Sequence, residues 1–257
     1  MIEISHLYAG YSAQPALKDI TLTIPPRQLT AIVGPNGCGK STLLKTLCGI
    51  LPLQKGEITI NGQPVSSCPP KLLAQQVAYL AQSRRVPDMT VEQMVLHGRF
   101  PYLSYPRRYR PEDRSIARDA MERMGVSDLS KAMLPTLSGG MRQKVYLAMA
   151  LAQNTPVVVL DEPTTYLDVA HQLQLMEQAR TLCQEGKTVV MVLHDLSQAL
   201  RTADCMAVLS GGQLAAQGSS DEIFRSGCLD QVFGVSFGRV ETPDGPRYYC
   251  YSAEKYS

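Results

Sequence analysis

The chain has 257 residues, enough to bury the core of one large domain, and its net charge of only +2 argues against a nucleic-acid partner. Its longest apolar runs, VVVL and VVMVL, fall far short of the roughly 18 residues needed to cross a bilayer, and the opening MIEISHLYAG has neither the basic nor the apolar region of a signal peptide. Seven scattered cysteines without a C-x-x-C pair fit a reduced cytosolic compartment better than a disulfide framework or a zinc site.

In chain order, the first 33 residues carry strand patterns: IEI, then ITLTI ending at Pro25-Pro26, then LTAIV. GPNGCGK follows, and STLLKTLCGIL then has helical apolar spacing. ITI-NG-QPV (58–65) predicts a hairpin around Asn-Gly, and VAYLAQ (77–82) a buried strand. From about Val86 to Asn154 helical patterns take over, in TVEQMVLHGR, RPEDRSIARDAMERMGV and SGGMRQKVYLAMALAQN. Between the first two, PYLSYPRRYRP predicts an exposed loop. The third predicts a long amphipathic helix. Strand patterns return in VVVLDEP (157–163), VVMVLHD (189–195) and MAVLS (206–210), with helical stretches between them. FGRVETPDGPRYYCY (237–251) predicts a closing hairpin around Pro-Asp-Gly. This order predicts an α/β sheet with a helical insertion.

Gly34, Pro35, Asn36, Gly37, Cys38, Gly39, Lys40 and Ser41 match G-x-x-x-x-G-K-[ST], with a β-branched strand running in and a helix running out. Glycines let successive backbone N–H groups curl toward an anion, and the helix N-terminus adds partial positive charge. Lys40 then reaches the β- and γ-phosphates and the Ser41 hydroxyl holds Mg²⁺, with Thr42 closing the phosphate-binding stretch. Cys38 reads as a loop position rather than a reactive thiol. Four apolar residues lead into Asp161-Glu162, where Asp161 is placed as a second Mg²⁺ ligand and Glu162 to polarise a water for attack on the γ-phosphate. The bland alternative is a solvated acidic turn. His194 ends another apolar strand, and strand ends of one open sheet converge on one crevice. These features predict ATP hydrolysis rather than binding alone.

LSGG occurs twice, as LSGGM from Leu137 and LSGGQ from Leu209. The second lies between two strand-like runs, so Gly211-Gly212 predict a hairpin turn. The first precedes a long helix, so Ser138 predicts an N-cap, with Gly139 and Gly140 open to an anion.

Together, GPNGCGKS, LSGG before a helix, DEP about twenty residues on and a later strand-end His resemble the ATP-binding subunit of ABC transporters. The resemblance runs from Tyr11 to the C-terminal hairpin. It implies a P-loop NTPase, α/β, with a RecA-like core, an antiparallel β subdomain and an inserted α-helical subdomain. The expected boundaries are 1–85 and 155–235 for the nucleotide-binding core, 86–154 for the helical signature subdomain and 236–257 for a hairpin extension. It further implies that Tyr11 stacks on adenine, that Gln82 touches Mg²⁺ and links the ATP site to the helical subdomain, and that Asp168 in TTYLD crosses a dimer interface. Glu162 matches the catalytic base and His194 the switch histidine. Ser138, Gly139 and Gly140 match the signature that faces the ATP of a second copy of the chain, so two ATP molecules are sandwiched head to tail. Met141 departs from the Gln or Glu usual at the end of that signature.

HGRFPYLS, HQLQLM, LHDLSQALRTAD and a closing VFGV look like iron-chelate importers. That resemblance implies uptake of a ferric siderophore, or of haem or cobalamin in close relatives. The implied partners are a transmembrane permease and, indirectly, an extracytoplasmic substrate-binding protein, with the chain peripheral on the cytoplasmic face of the membrane. The PRRYR segment is either part of the rim that docks the permease or a solvated basic loop. A soluble ABC protein acting on nucleic acid or ribosomes is the competing class. Its paired ATPase units or intervening coiled coil are missing from this sequence.

Overall fold

The computed structural model describes residues 1–82, 86–243 and 245–252. Residues 83–85, at the end of the first expected core segment, lie outside the described residues, as do Asp244 of the Pro-Asp-Gly turn and residues 253–257 of the expected extension. The chain begins with β1 (Ile2–Ala9), β2 (Leu17–Ile24), β3 (Leu29–Val33), α1 (Lys40–Leu47), β4 (Leu53–Ile60) and β5 (Gln63–Pro64). It continues with α2 (Pro70–Gln76), β6 (Val77–Leu80), α3 (Val91–Leu96), α4 (Pro111–Arg123), α5 (Gly139–Ala152), β7 (Val157–Asp161) and α6 (Val169–Gln184). The remaining elements are β8 (Thr188–Val192), α7 (Leu196–Thr202), β9 (Cys205–Ser210), β10 (Gln213–Ser219), α8 (Ser220–Arg225), α9 (Cys228–Phe233), β11 (Val235–Thr242) and β12 (Gly245–Ser252). Two compact units result, Met1–Cys68 with Ala179–Ser257, and Pro69–Gln178.

In the first unit an antiparallel sheet has the order β2-β1-β4-β5. Its strands alternate as one-sided sheets do: Leu17, Ile20, Leu22 and Ile24 of β2 are buried while the residues between them face out. The expected Asn-Gly hairpin forms, with Asn61 at φ 51° and Gly62 at φ 78°, both left-handed as a type I′ turn requires. Its second strand is only two residues long, because Val65 already opens a 3-10 turn. In the other sheet of this unit β3 lies between β8 and β9, parallel to both, and β10 pairs antiparallel with β9. Every residue of β3 and β8 is buried, as expected for parallel strands covered on both faces. The closing hairpin forms from β11 and β12.

In the second unit β6 and β7 pair in parallel. Helices α3, α4 and α5 enclose a core that includes Val91, Val95, Ala117, Met121, Val145 and Ala148. Local caps start two of these helices. Thr90 and Gln93 form a reciprocal capping box on α3, and Pro111 sits in the first turn of α4 while Asp113 accepts from the Arg110 backbone N–H at 3.0 Å. Helix α5 departs from the amphipathic expectation. None of its residues is exposed, and Gln143 and Tyr146 are buried, so their polar groups must find partners. Helix α2 is seven residues long, too short for a periodic signal, and Pro70 occupies its first turn, where its missing N–H costs nothing. Helices α8 and α9 are six residues each, too short for a periodic signal.

Candidate functional site

The phosphate loop links β3 to α1 in the first unit. Lys40 is 6% exposed, and its ammonium donates to the carbonyls of Gly34 at 2.7 Å and Pro35 at 2.9 Å. The amine is thus folded over its own loop, held by neutral acceptors that a phosphate can replace. Gly39, at φ 104°, is the N-cap residue of α1, and a Cβ on Gly37 would meet no atom within 4 Å, so one side of the loop is open. Cys38 is buried. Thr42 is buried in the first turn of α1, beside Ser41. Tyr11 is 67% exposed, and its hydroxyl accepts from Lys45 of α1 at 2.9 Å, which puts an open aromatic face beside the helix that starts at the loop.

The second LSGG copy also lies in this unit. Gly211 and Gly212, at φ 56° and 82°, form the turn between β9 and β10, as expected. A Cβ on Gly34 would lie 2.2 Å from the Leu209 carbonyl oxygen. This copy is the floor on which the phosphate loop rests. His194 follows buried Leu193 just past β8 and is exposed, and the next residue, Asp195, caps α7 by accepting from the Gln198 N–H at 3.0 Å.

The carboxylates lie in the second unit. Asp161 ends β7 and is 1% exposed, and one of its oxygens accepts from the Tyr79 hydroxyl at 3.2 Å. Glu162 has a left-handed backbone, φ 51°, a conformation costly for a residue with a Cβ and concentrated at functional sites. The Gln82 amide donates to the Glu162 carboxylate at 2.5 Å, so these two expected site residues are in contact. What remains on Gln82 for a cation is its amide oxygen. Ser138 caps α5, accepting from the Met141 N–H at 3.3 Å, and Met141 itself packs against the helical core. The departure at the end of the signature therefore has an apolar seat. Asp168 starts α6 by accepting from the His171 backbone N–H at 2.9 Å and pairs with the His171 ring at 2.7 Å. These bonds, the backbone one foremost, hold its carboxyl below the usual carboxylate range.

Two contributors went unseen in the sequence, Tyr79 on Asp161 and Gln143, whose buried amide donates to the Pro163 carbonyl at 2.7 Å. Tyr79 carries its hydroxyl in the otherwise apolar VAYL, which is a signal, whereas Gln143 between Arg142 and Lys144 reads as one more solvated polar residue. A cleft of about 530 Å³ in the second unit is lined by Gln82, Gly139, Arg142, Gln143, Tyr146 and Tyr166, among others.

The possible Mg²⁺ donors, the Ser41 hydroxyl, the Gln82 amide oxygen and the Asp161 carboxylate, are all oxygen, which suits that ion. Among the described residues no group of three or more His, Cys, Asp or Glu could cage a metal.

A family profile described as ABC transporter matches residues 17–165. The chain is 38% identical over 251 residues to the iron(3+)-hydroxamate import ATP-binding protein of Bacillus subtilis, covering 97% of this chain and 93% of that protein. It is 38% identical over 239 residues to the ferric enterobactin transport ATP-binding protein of Escherichia coli, covering 92% and 88% respectively. Among solved structures, an ATP-binding subunit of an ABC transporter superposes with a TM-score of 0.79 at 27% identity, covering 91% of this chain and 98% of that one.

Proposed function

The chain belongs to the ABC transporter family, and from that membership we propose that it is the ATP-hydrolysing subunit of an importer for a ferric siderophore. One observation carries the hydrolytic reading. Glu162 directly follows the buried Asp161 at the end of β7, in a left-handed turn, with its carboxylate gripped by Gln82 at 2.5 Å. A nucleotide-binding protein that does not hydrolyse has no need of a second, oriented carboxylate there. The cargo reading rests on the two relatives, which are ATP-binding proteins of iron(3+)-hydroxamate import and ferric enterobactin transport and align with at least nine-tenths of this chain.

In this reading the Gly34–Ser41 loop and Thr42 hold the phosphates, Lys40 neutralises the β/γ oxygens, and Tyr11 stacks on the base. Ser41, Asp161 and Gln82 would hold Mg²⁺, which when bound supplies charge neutralisation to the phosphates. Glu162 accepts the proton of the attacking water, and His194 contacts the γ-phosphate. Ser138, Gly139 and Gly140 serve the ATP held by a second copy, and Asp168 lies at that interface. A transmembrane permease couples the cycle to transport at the cytoplasmic face of the membrane, fed by an extracytoplasmic binding protein. Among the described residues no helix is long and apolar enough to cross a membrane, in keeping with a peripheral subunit.

Two variants test the ATPase. Lys40→Ala is expected to abolish nucleotide binding at ordinary ATP concentrations, and unchanged affinity refutes the cradle. Glu162→Gln is expected to bind ATP and lose turnover by about 100-fold or more, and near-normal hydrolysis sinks the base assignment. Uptake assays with the cognate permease, offering ferric hydroxamate, haem and cobalamin in parallel, test the cargo. Uptake of haem or cobalamin alone overturns the siderophore reading.

A further inference from the structure

Gln143 lies on α5 just beyond the first turn, which starts at the Ser138 cap, and is 6% exposed. A buried amide must be satisfied, and its nitrogen donates to the Pro163 carbonyl at 2.7 Å. Pro163 follows Glu162, the residue with φ 51°. Such a turn persists only where its surroundings hold it. Proline has no N–H, so the carbonyl is the one backbone group through which residue 163 can be gripped by a hydrogen bond. The same loop also touches the start of α5, where a Cβ on Gly140 would lie 3.3 Å from the Tyr166 carbonyl oxygen and one on Gly139 3.6 Å from the Tyr166 Cβ. The loop that presents Glu162 is therefore packed along the first turns of the helix that begins with Ser138. The Glu162 turn cannot shift without stretching the Gln143 bond or displacing those turns.

We infer that Gln143 is a positioning residue that couples Glu162, which serves this chain's own ATP, to the Ser138–Gly140 segment, which serves the ATP of the second copy. The inference rests on the ATPase reading above. Gln143→Met keeps the length and removes the donor. Gln143→Glu has a donor only when its carboxyl is protonated, and burial beside a carbonyl raises the pKa of that carboxyl.

The full-length chain is assayed for ATP hydrolysis and, separately, for equilibrium ATP affinity, from pH 8 down to pH 6. The Met variant is expected to lose kcat by about ten-fold with ATP affinity within two-fold of wild type. The Glu variant is expected to match it at pH 8 and to recover relative to wild type as the pH falls. A kcat within two-fold of wild type for the Met variant overturns the inference, as does a loss of affinity equal to the loss of kcat. If the Met variant does not fold, the pH series on the Glu variant decides, and the absence of any recovery overturns the coupling. A wild-type chain without ATPase activity would instead refute the ATPase reading itself.

Discussion

A methyl group on Gly212 would sit 2.3 Å from the Ala16 carbonyl oxygen, in a residue whose φ is 82°. Gly212→Ala therefore combines left-handed strain with a backbone collision. It is expected to cost at least ~2 kcal/mol, roughly 4–8 °C in Tm for a chain of this size, and calorimetry checks it. Gly139 differs in every respect. It opens α5 without a left-handed φ, and a Cβ there makes an ordinary 3.6 Å contact. An acidic residue is also welcome in the first turn of a helix. Gly139→Asp is therefore expected to keep the Tm within a few degrees of wild type and to abolish turnover, because its carboxylate competes for the place of the phosphate. Loss of turnover from Gly212→Ala without loss of stability, or the reverse result at Gly139, would exchange the roles of the two LSGG copies.

Helix α5 is fastened along its length by polar bonds. Its C-terminal carbonyls at Ala152 and Gln153 accept from the Arg99 guanidinium at 3.0 and 3.3 Å, where a cation also suits the helix dipole. The same guanidinium pairs with buried Asp113 at 3.0 Å and lies over the Tyr102 ring at 3.9 Å. The Gln153 side chain holds the carbonyls of Ala74 and Val77 at 2.6 and 3.0 Å. Burial alone would raise the carboxyl pKa of Asp113, but the Arg110 N–H and the Arg99 guanidinium outweigh it and hold the value below normal. A depressed folded-state pKa contributes stability that is complete above the unfolded value, near pH 4, and is lost as the pH falls through the folded value. Asp113→Ala also strands a buried guanidinium, at a cost of about 3–5 kcal/mol. Urea titrations are expected to show that deficit in full at pH 7 and to show it shrinking toward pH 2. A deficit independent of pH would mean that packing, not the ion pair, sets it.

At the scale of the assembly, the proposed composite site, in which each chain supplies half of each ATP site, has an arithmetic consequence. The Lys40→Ala chain retains its signature and the Gly139→Asp chain retains its phosphate loop. A dimer of one of each holds one intact composite site and one doubly defective site. Mixed equally and allowed to exchange, half of the dimers are mixed, so about a quarter of wild-type turnover is expected from two chains that are inactive alone. No recovery on mixing would mean that each chain completes its own site. Glu162→Gln, which binds without turning over, is expected to accumulate the ATP-bound dimer, seen as a doubling of mass in size-exclusion chromatography with light scattering.

The features legible in the sequence are those whose physics is local. The strand, loop and helix around Lys40, the Asn61-Gly62 and Gly211-Gly212 turns and the Ser138 cap each close within a few residues. Backbone torsion and short-range hydrogen bonds impose a residue type at each such place, so type reveals structure. The contacts that only the tertiary structure decided join distant residues. Tyr79 meets Asp161 across 82 positions, Arg99 meets Ala152 across 53 and Gln143 meets Pro163 across 20. No periodicity or spacing encodes such a pair, because either partner alone satisfies every local rule. Folding made Leu209 the floor beneath Gly34 and buried Gln143 of α5, whose amide donates to the Pro163 carbonyl. The sequence determined which chemistry the chain carries, and tertiary packing decided how the Glu162 turn and the signature helix are held together.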